Sequence, residues 1–461
     1  MFATKQEALL KAQERAERIK LDLMPGQLYE DNEISLSSYL SACRTSYTVP
    51  SSQVKWHRPS QISEQPELFC DGAHSSDIIQ GRLGDCWFLG ALSCVATRED
   101  LLMPLIAGAY TEYGFYQFLF FKHGSWDAIT IDDRLAIRRG KLLYARCPDP
   151  NEFWVPLIEK AYAKLHGCYD NLSGGSPAYA LADLTGGQCE KISVKPQDIV
   201  KTWNYLTRSI NERWLMGASV FNAKAAVEEE RPDGLLVNHA YGLLDCIKID
   251  NIKLVKLRNP WGRKEWNGAW SDTSDEWNGK IGSQIKAMTS YTLGDDGCFF
   301  MRIEDFCRIF NKLYTVRLYQ DSIGAVWPFS RLSGCWKDVT APGCQNPITL
   351  ARNPQYILGP ITRQIEIFIT LSQRDERLGS RTKHVNMGFF LCRALSNRRQ
   401  AKVDKSTLIV MTLFSNAREI STNLILDQGY YVIVPSTYYP REQTTFVLTV
   451  SADRDIQVKA V

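Results

Sequence analysis

The sequence predicts an α+β protein, with helices and strands mixed in its first part and an antiparallel β-sandwich at its end. Three observations carry this. At 461 residues the chain is too long for one hydrophobic core, which suggests two or three domains. Helical and strand-like patterns mix up to a boundary near residue 186, where Ser173-Gly174-Gly175-Ser176-Pro177 and Thr185-Gly186-Gly187 interrupt them. From about residue 326 the pattern shortens to alternating runs between polar turns. These lie at 364–371, 387–391, 407–414, 430–434 and 444–450, the signature of a sandwich.

Residues 1–24 mix Lys, Arg and Glu through Leu and Ala without a continuous apolar stretch, so they read as an amphipathic helix or tail rather than a signal peptide. A helix is expected from residue 86 to about 98, entered through the tight Gly81-Arg82-Leu83-Gly84 turn. A strand is expected over 126–135 and a helix over 151–165. Past residue 186 strands dominate. Two apolar runs, 240–249 and 252–257, are joined by Asp250-Asn251, a pair that favours a hairpin turn.

Charge and cysteine usage narrow the function classes. The net charge of +3 is small for this length and implies no nucleic-acid partner. From residue 326 on there are 17 Lys and Arg against 10 Asp and Glu, while the rest has 37 against 41, so the two parts carry opposite signs. The 13 cysteines follow neither a disulfide framework nor a paired C-x-x-C zinc pattern, which points to free thiols in a reducing compartment. The longest apolar run, near 116–121, is too short to span a bilayer, so a soluble cytoplasmic protein is expected.

The most informative segment is Gln80-Gly81-Arg82-Leu83-Gly84-Asp85-Cys86-Trp87. Cys86 would sit in the first turn of its helix, where the partial positive charge of the helix end favours a thiolate. Gln80, six residues earlier, can fold back so that its amide faces the same point, forming an oxyanion hole with the Cys86 N–H. The plain alternative, a buried structural thiol, suits most of the other twelve cysteines. A thiolate nucleophile needs a base, and the hairpin selects one of six histidines. Pairing about Asp250-Asn251 matches residues whose numbers sum to about 501, which sets His239 opposite positions near 262 and close to Asn259. Asn259 would orient the ring in a Cys-His-Asn arrangement, and Trp261 would shield that pair from water. His57, His74, His123, His166 and His384 lack such a partner and are expected at the surface or in packing.

On these residues the chain resembles the calpains, calcium-dependent papain-like cysteine peptidases. The octapeptide, Asn238-His239-Ala240-Tyr241 and Arg258-Asn259-Pro260-Trp261-Gly262 match the family's three active-site signatures. Further matches are Ile131-Asp132-Asp133-Arg134-Leu135, Leu157-Ile158-Glu159-Lys160-Ala161-Tyr162-Ala163-Lys164 and Leu172-Ser173-Gly174-Gly175. The resemblance implies a two-lobed papain-like core followed by a C2-like sandwich. The units would be a tail at 1–27, a Cys lobe at 28–186, a His/Asn lobe at 187–322 and the sandwich at 326–461. Trp336, Ala341-Pro342-Gly343-Cys344, Asn353-Pro354-Gln355-Tyr356 and the segment at 429–437 suggest that last unit. The implied function is limited cleavage of protein substrates, with Gly175 and Asn238 in substrate binding.

The resemblance also implies one calcium ion in each lobe. The first site would use the Asp77 and Glu152 side chains with the Cys70 and Gly72 carbonyls, all hard oxygen donors. The second would use Glu265, Asp272 and Asp296 with the Gly294 carbonyl. There the chain departs from the family pattern, with Cys298 in place of a Glu, and a thiol is a poor calcium ligand. The sandwich lacks the family's acidic loop, since 357–364 holds no acid. Its basic residues Arg393, Arg398, Arg399, Lys402 and Lys405 read as a solvated face, with weak anionic-lipid contact as the other reading. The chain holds no D-x-D-x-D-G loop, so pairing with an EF-hand small subunit is not expected. Two other readings stand beside the peptidase: a catalytically silent calpain-like scaffold, and a transglutaminase, which would orient its His with Asp.

Overall fold

A computed structural model describes the chain except for residues 1, 41–48, 227, 290, 292, 319–326, 376–383 and 404. The junction expected between 322 and 326 lies outside the described residues. No helix among them is long and apolar enough to cross a membrane.

The first helix, α1 (Lys5–Asp22), starts at a capping box. Thr4 Oγ1 accepts from the Glu7 N–H at 3.2 Å and the Glu7 carboxylate accepts from the Thr4 N–H at 2.8 Å. Its small face, Ala8, Ala12 and Ala16, is buried, and Gln117 donates across to the Ala12 carbonyl. This helix is therefore docked, not a free tail. The helix expected from residue 86 runs as α2 (Cys86–Ala96) and is buried along its whole length. It packs with α3 (Trp154–Leu165) and α4 (Pro177–Thr185) against a three-stranded antiparallel sheet of β1 (Ile106–Tyr110), β2 (Phe115–Lys122) and β3 (Ser125–Asp132).

Beyond residue 186 a six-stranded antiparallel sheet forms from β4 (Gln188–Ser193), β5 (Leu215–Ser219), β6 (Ala240–Ile249), β7 (Ile252–Arg258), β8 (Cys298–Arg302) and β9 (Lys312–Arg317). Its spatial order is β8-β7-β6-β5-β9-β4. Helix α5 (Ile199–Asn211) covers this sheet through Trp203 and Leu206, and the resulting core is separate from that around α2.

The last part is two antiparallel sheets sharing one core. Its strands are β10 (Phe329–Trp336), β11 (Tyr356–Ile361), β12 (Ile365–Gln373), β13 (Met387–Ala394), β14 (Leu408–Met411), β15 (Glu419–Leu426), β16 (Gly429–Thr437), β17 (Thr444–Ala452) and β18 (Val458–Ala460). One sheet has the order β10-β17-β12-β15 and the other β14-β13-β16-β11-β18. Strands β10, β11, β15 and β18 were not expected from the sequence. β10 and β15 are mostly half-buried, so neither shows a clean apolar alternation.

Buried charges join this sandwich to the first part. Lys122 donates to Asp183 at 2.5 Å and Asp375 at 2.9 Å, and Arg418 donates to the same two carboxylates at 2.8 and 3.3 Å. Of the two placements expected for His166, surface or packing, the structure has packing: it is fully enclosed, with Nε2 at 2.9 Å from the Lys122 amine. Burial and the Lys122 charge hold its imidazole down at about 4, so it stays neutral at physiological pH. Removing one member strands the others, so Arg418→Ala is expected to cost about 3–5 kcal/mol. Thermal unfolding of the variant against the parent checks this.

Candidate active site

Cys86 is the first residue of α2 and is buried at 8% exposure. Its N–H, at N1, has no intrahelical acceptor and points out of the helix end. The turn before it is fixed by backbone bonds, Gln80 N–H to the Pro260 carbonyl at 2.9 Å and Arg82 N–H to the Leu143 carbonyl at 3.0 Å. The buried Gln80 side chain turns onto its own loop, where Nε2 donates to the Leu83 carbonyl at 2.7 Å. That holds the amide rigid while one of its two hydrogens remains for a ligand.

The hairpin arithmetic holds from Ile249↔Ile252 to Asp245↔Lys256, where numbers sum to 501, and a bulge at Leu244 then shifts the register by one. Thus Gly242 pairs with Arg258, and His239 and Asn259 emerge side by side at the open end of the hairpin. Helix α2 lies directly on β6 because Gly242 leaves room. A Cβ there would meet Cys94 Sγ at 3.0 Å and the Gly90 carbonyl oxygen at 3.1 Å. Arg258, fully buried, ties the two parts together by donating to Ser93 Oγ of α2 at 3.1 Å and to the Ile78 carbonyl at 2.8 Å.

His239 is 1% exposed. Its Nε2 lies 2.8 Å from Asn259 Oδ1. The Asn259 amide is fixed in that sense, because Nδ2 donates to the Arg263 and Lys264 carbonyls, each at 2.9 Å, and Oδ1 also accepts from the Trp261 N–H. The Trp261 indole covers the pair edge-on, with ring centroids 5.4 Å apart. Nδ1 is the remaining nitrogen, and it faces Cys86 and the Glu228 carboxylate. One ligand atom from each of the three residues lies within 4.8 Å of the others, and Glu228 Oε1 is 3.2 Å from Nδ1. Burial works to lower the imidazole pKa, but the Cys86 and Glu228 partners outweigh it and raise it to about 9. The stabilisation from this raised pKa is fully present below about 6.5 and is lost as pH rises through about 9. Glu228→Gln removes one of the groups that raise it, so the alkaline limb of the pH–kcat/KM profile should move to lower pH. An unchanged limb would mean that the carboxylate does not reach the imidazolium.

A model of calpain family cysteine proteases matches residues 29–317, and a model of calpain large subunit domain III matches residues 332–451. Calpain-5 of Mus musculus is 34% identical over 447 residues, covering 88% of this chain and 70% of the relative. Calpain-A of Drosophila melanogaster is 34% identical over 445 residues, with 88% and 53% covered, and Calpain-9 of Rattus norvegicus is 33% identical over 460, with 94% and 66% covered. This chain belongs to the calpain family.

The remaining residues expected from the calpain resemblance fall as follows. Gly175 lies flat against the Trp87 indole, where a Cβ would meet the ring at 2.3 Å. The Asn238 side chain is committed to the loop ahead of Glu228, with Nδ2 donating to the Asn222 and Ala225 carbonyls and Oδ1 accepting from the Asn222 N–H. Its backbone is what remains for a substrate.

Asp77 and Glu152 face each other. Asp77 accepts from the His74 N–H at 2.6 Å and from the Trp154 indole at 3.3 Å, and Glu152 accepts from the Cys70 N–H at 3.3 Å. Burial and the Asp77 charge push the Glu152 carboxyl up to about 7, the behaviour of an acid pair that a bound cation would relieve. This donor set fits calcium. In the second group Glu265 accepts from the Gly297 N–H, Asp272 from Tyr291 Oη and the Gly294 N–H, and Asp296 from the Cys298 N–H. The Gly294 carbonyl accepts from the Asp296 N–H at 2.8 Å. Burial and the neighbouring acids push Glu265 up to about 8. Cys298 is buried and its thiol is pushed up to about 12, so it stays neutral and adds no charge to that group. Among the basic residues of the sandwich, Arg399 donates to the Ala351, Asn353 and Val461 carbonyls and Arg393 to that of Gln428. The Lys405 side chain lies outside the described residues.

Sequence reasoning missed Glu228, Arg258 and the buried pair of Asp85 and Glu159. Burial raises both acids of that pair, so they hold a proton between them. Arg258 carried a signal, since it opens the Arg258-Asn259-Pro260-Trp261 segment. Glu228 carried none, for it sits in an irregular acidic stretch that reads as solvated.

Proposed function

We propose that this calpain is a calcium-dependent cysteine endopeptidase that makes limited cuts in protein substrates, with Cys86 as nucleophile, His239 as base and Asn259 as its orienter. The observation that carries this reading is the convergence of Cys86 with a His239 ring whose other nitrogen is held by a fixed Asn259 amide. In the cycle, Cys86 Sγ attacks the scissile carbonyl and His239, protonated at Nδ1, delivers that proton to the leaving amine. The Cys86 N–H and the free Gln80 N–H hold the developing oxyanion, and Trp261 keeps water off the His239–Asn259 bond. Water, deprotonated by His239, then hydrolyses the thioester.

In this reading residues 28–186 and 187–322 are the two lobes of a papain-like core, and 326–461 is a C2-like domain. The twelve described cysteines are free thiols, in keeping with a reducing, cytoplasmic setting. Asp77 and Glu152, with the Cys70 and Gly72 carbonyls, would hold calcium in the first lobe, and Glu265, Asp272, Asp296 and the Gly294 carbonyl would hold it more weakly in the second. Calcium, when bound, would supply a differential stabilisation of the arrangement in which the lobes are aligned.

The reading is tested by fragment release from unfolded casein, titrated against free calcium. Activity should rise with calcium and reach half-maximum only at a high concentration. Asp77→Ala should nearly abolish the response and Cys298→Glu should shift it to lower calcium. Full activity in excess chelator contradicts calcium control.

Two other readings can be separated from it. A silent scaffold is favoured by one observation, the Glu228 carboxylate lying against His239 Nδ1, and it predicts no fragment release under any condition. A transglutaminase would incorporate amines into casein. The orienter here is an amide, Asn259, and not a carboxylate, which favours hydrolysis.

A further inference from the structure

Beside the candidate nucleophile the surface opens into a cleft of about 170 Å³, lined by Gln80, Arg82, Arg146, Glu228, Trp261 and Arg263 among others. The two residues expected to shape the reacting centre, Gln80 and Trp261, are part of its wall. Its charge is set by three arginines. All three are solvent-exposed, and among the described residues none has a carboxylate within ion-pair reach or a hydrogen bond through its guanidinium. Other arginines of this chain are paired, as Arg58 is with Asp133 and Arg231 with Asp233, and the unpaired ones such as Arg139, Arg352 and Arg441 do not line this cleft. Residues 1–325 carry more acids than bases, whereas this cleft gathers three arginines against one acid.

The backbones that carry the arginines are held in place. Arg146 exchanges two backbone hydrogen bonds with Ile79, each 3.0 Å, and the Arg82 N–H donates to the Leu143 carbonyl. The Arg263 carbonyl accepts from Asn259 Nδ2. Burial, and then the nearby Arg263 charge, depress the Arg146 guanidinium, so the two arginines are near enough to interact. Two like charges facing one cleft without a counter-ion are relieved by an anion between them, and a guanidinium pair suits a carboxylate through bidentate donation. The single acid of the cleft, Glu228, is engaged with His239.

We infer that Arg82, Arg146 and Arg263 form a specificity site for an acidic side chain of the substrate, Asp or Glu, at a position flanking the bond to be cut. The inference rests on the peptidase reading above. Because Arg146 comes from the Cys86 side of the cleft and Arg263 from the turn after β7, one carboxylate would touch both sides at once.

The test uses the full chain at saturating calcium. Fluorogenic peptides differ only in carrying Glu, Gln or Lys at each position around the cut. At one flanking position kcat/KM for Glu should exceed that for Gln by about tenfold, exceed that for Lys by more, and the preference should weaken with added salt. The readout is a ratio within one enzyme, so a general loss of folding or turnover cancels. The double variant Arg146→Glu, Arg263→Glu should reverse the order and favour Lys. A wild-type Glu/Gln ratio near one at every position, with the Gln peptides still cut, overturns the proposal and leaves the peptidase reading standing. So does an unchanged preference in the reversed-charge variant. Failure to cut any peptide, with Cys86 unreactive toward an epoxide inhibitor, overturns the peptidase reading and the proposal with it.

Discussion

Cys86→Ser is expected to lower turnover of casein by about 10⁴-fold or more while leaving the fold intact. The hydroxyl replaces the thiol with almost no change in shape, and the site is 8% exposed at a helix start that its own backbone, not its side chain, organises. Thermal unfolding should therefore move by no more than about 1 kcal/mol. A serine at this point is a far weaker nucleophile, since His239 faces it with a pKa raised to about 9 only through the Cys86 and Glu228 partners. The same substitution at Cys94 should leave turnover within a few-fold. That thiol is buried, bonded to the Gly90 and Met216 carbonyls and pushed up to about 12. Comparable losses at Cys86 and Cys94 would mean that turnover follows packing rather than a nucleophile.

The second large effect concerns His239 and Asn259 as a unit. His239→Ala should cost about 10³–10⁴-fold in kcat and Asn259→Ala about 10–10²-fold, because orientation is partly recovered by the Trp261 contact and by packing. Their combined loss should be close to that of His239→Ala alone, since an amide that orients an absent ring has nothing left to do. Multiplicative losses would mean that the 2.8 Å contact between Nε2 and Oδ1 is not functional. Asn259→Ala should also destabilise the protein, because the partly buried Arg263 and Lys264 carbonyls lose the Nδ2 donor they share. Kinetic and unfolding measurements on the same preparations separate the two contributions.

Much of this site could be read from the sequence because local rules place it. Helix α2 starts where Gly-rich turn chemistry lets it start, and the Asp250-Asn251 turn sets the strand register to the residue as far as Asp245. The bulge at Leu244 was not legible, since one extra residue leaves the apolar pattern on both sides intact. Glu228 was hidden for a different reason. It is delivered by an irregular loop that the Asn238 side chain fastens, and no periodicity marks a loop's closing contact. The partners of His166, namely Lys122, Asp183 and Asp375, were not legible because they come from distant parts of the sequence that meet only in the folded chain. In the sandwich the strands buried on one clean face were visible, whereas β10 and β15, half-buried along most of their length, were not.

The central claim, that Cys86 is the nucleophile, is tested most directly by labelling with an epoxide peptidase inhibitor in calcium and mapping the adduct among the 13 cysteines. The strongest competitor is Cys70, which is exposed, but slight burial and the adjacent Asp149 and Glu152 raise its thiol. The buried thiols at Cys94 and Cys298 are pushed up to about 12 and should stay inert. The account predicts one adduct per chain, on Cys86, formed in step with the loss of casein cleavage. Label spread over several cysteines, or Cys86 fully labelled with cleavage intact, would contradict it.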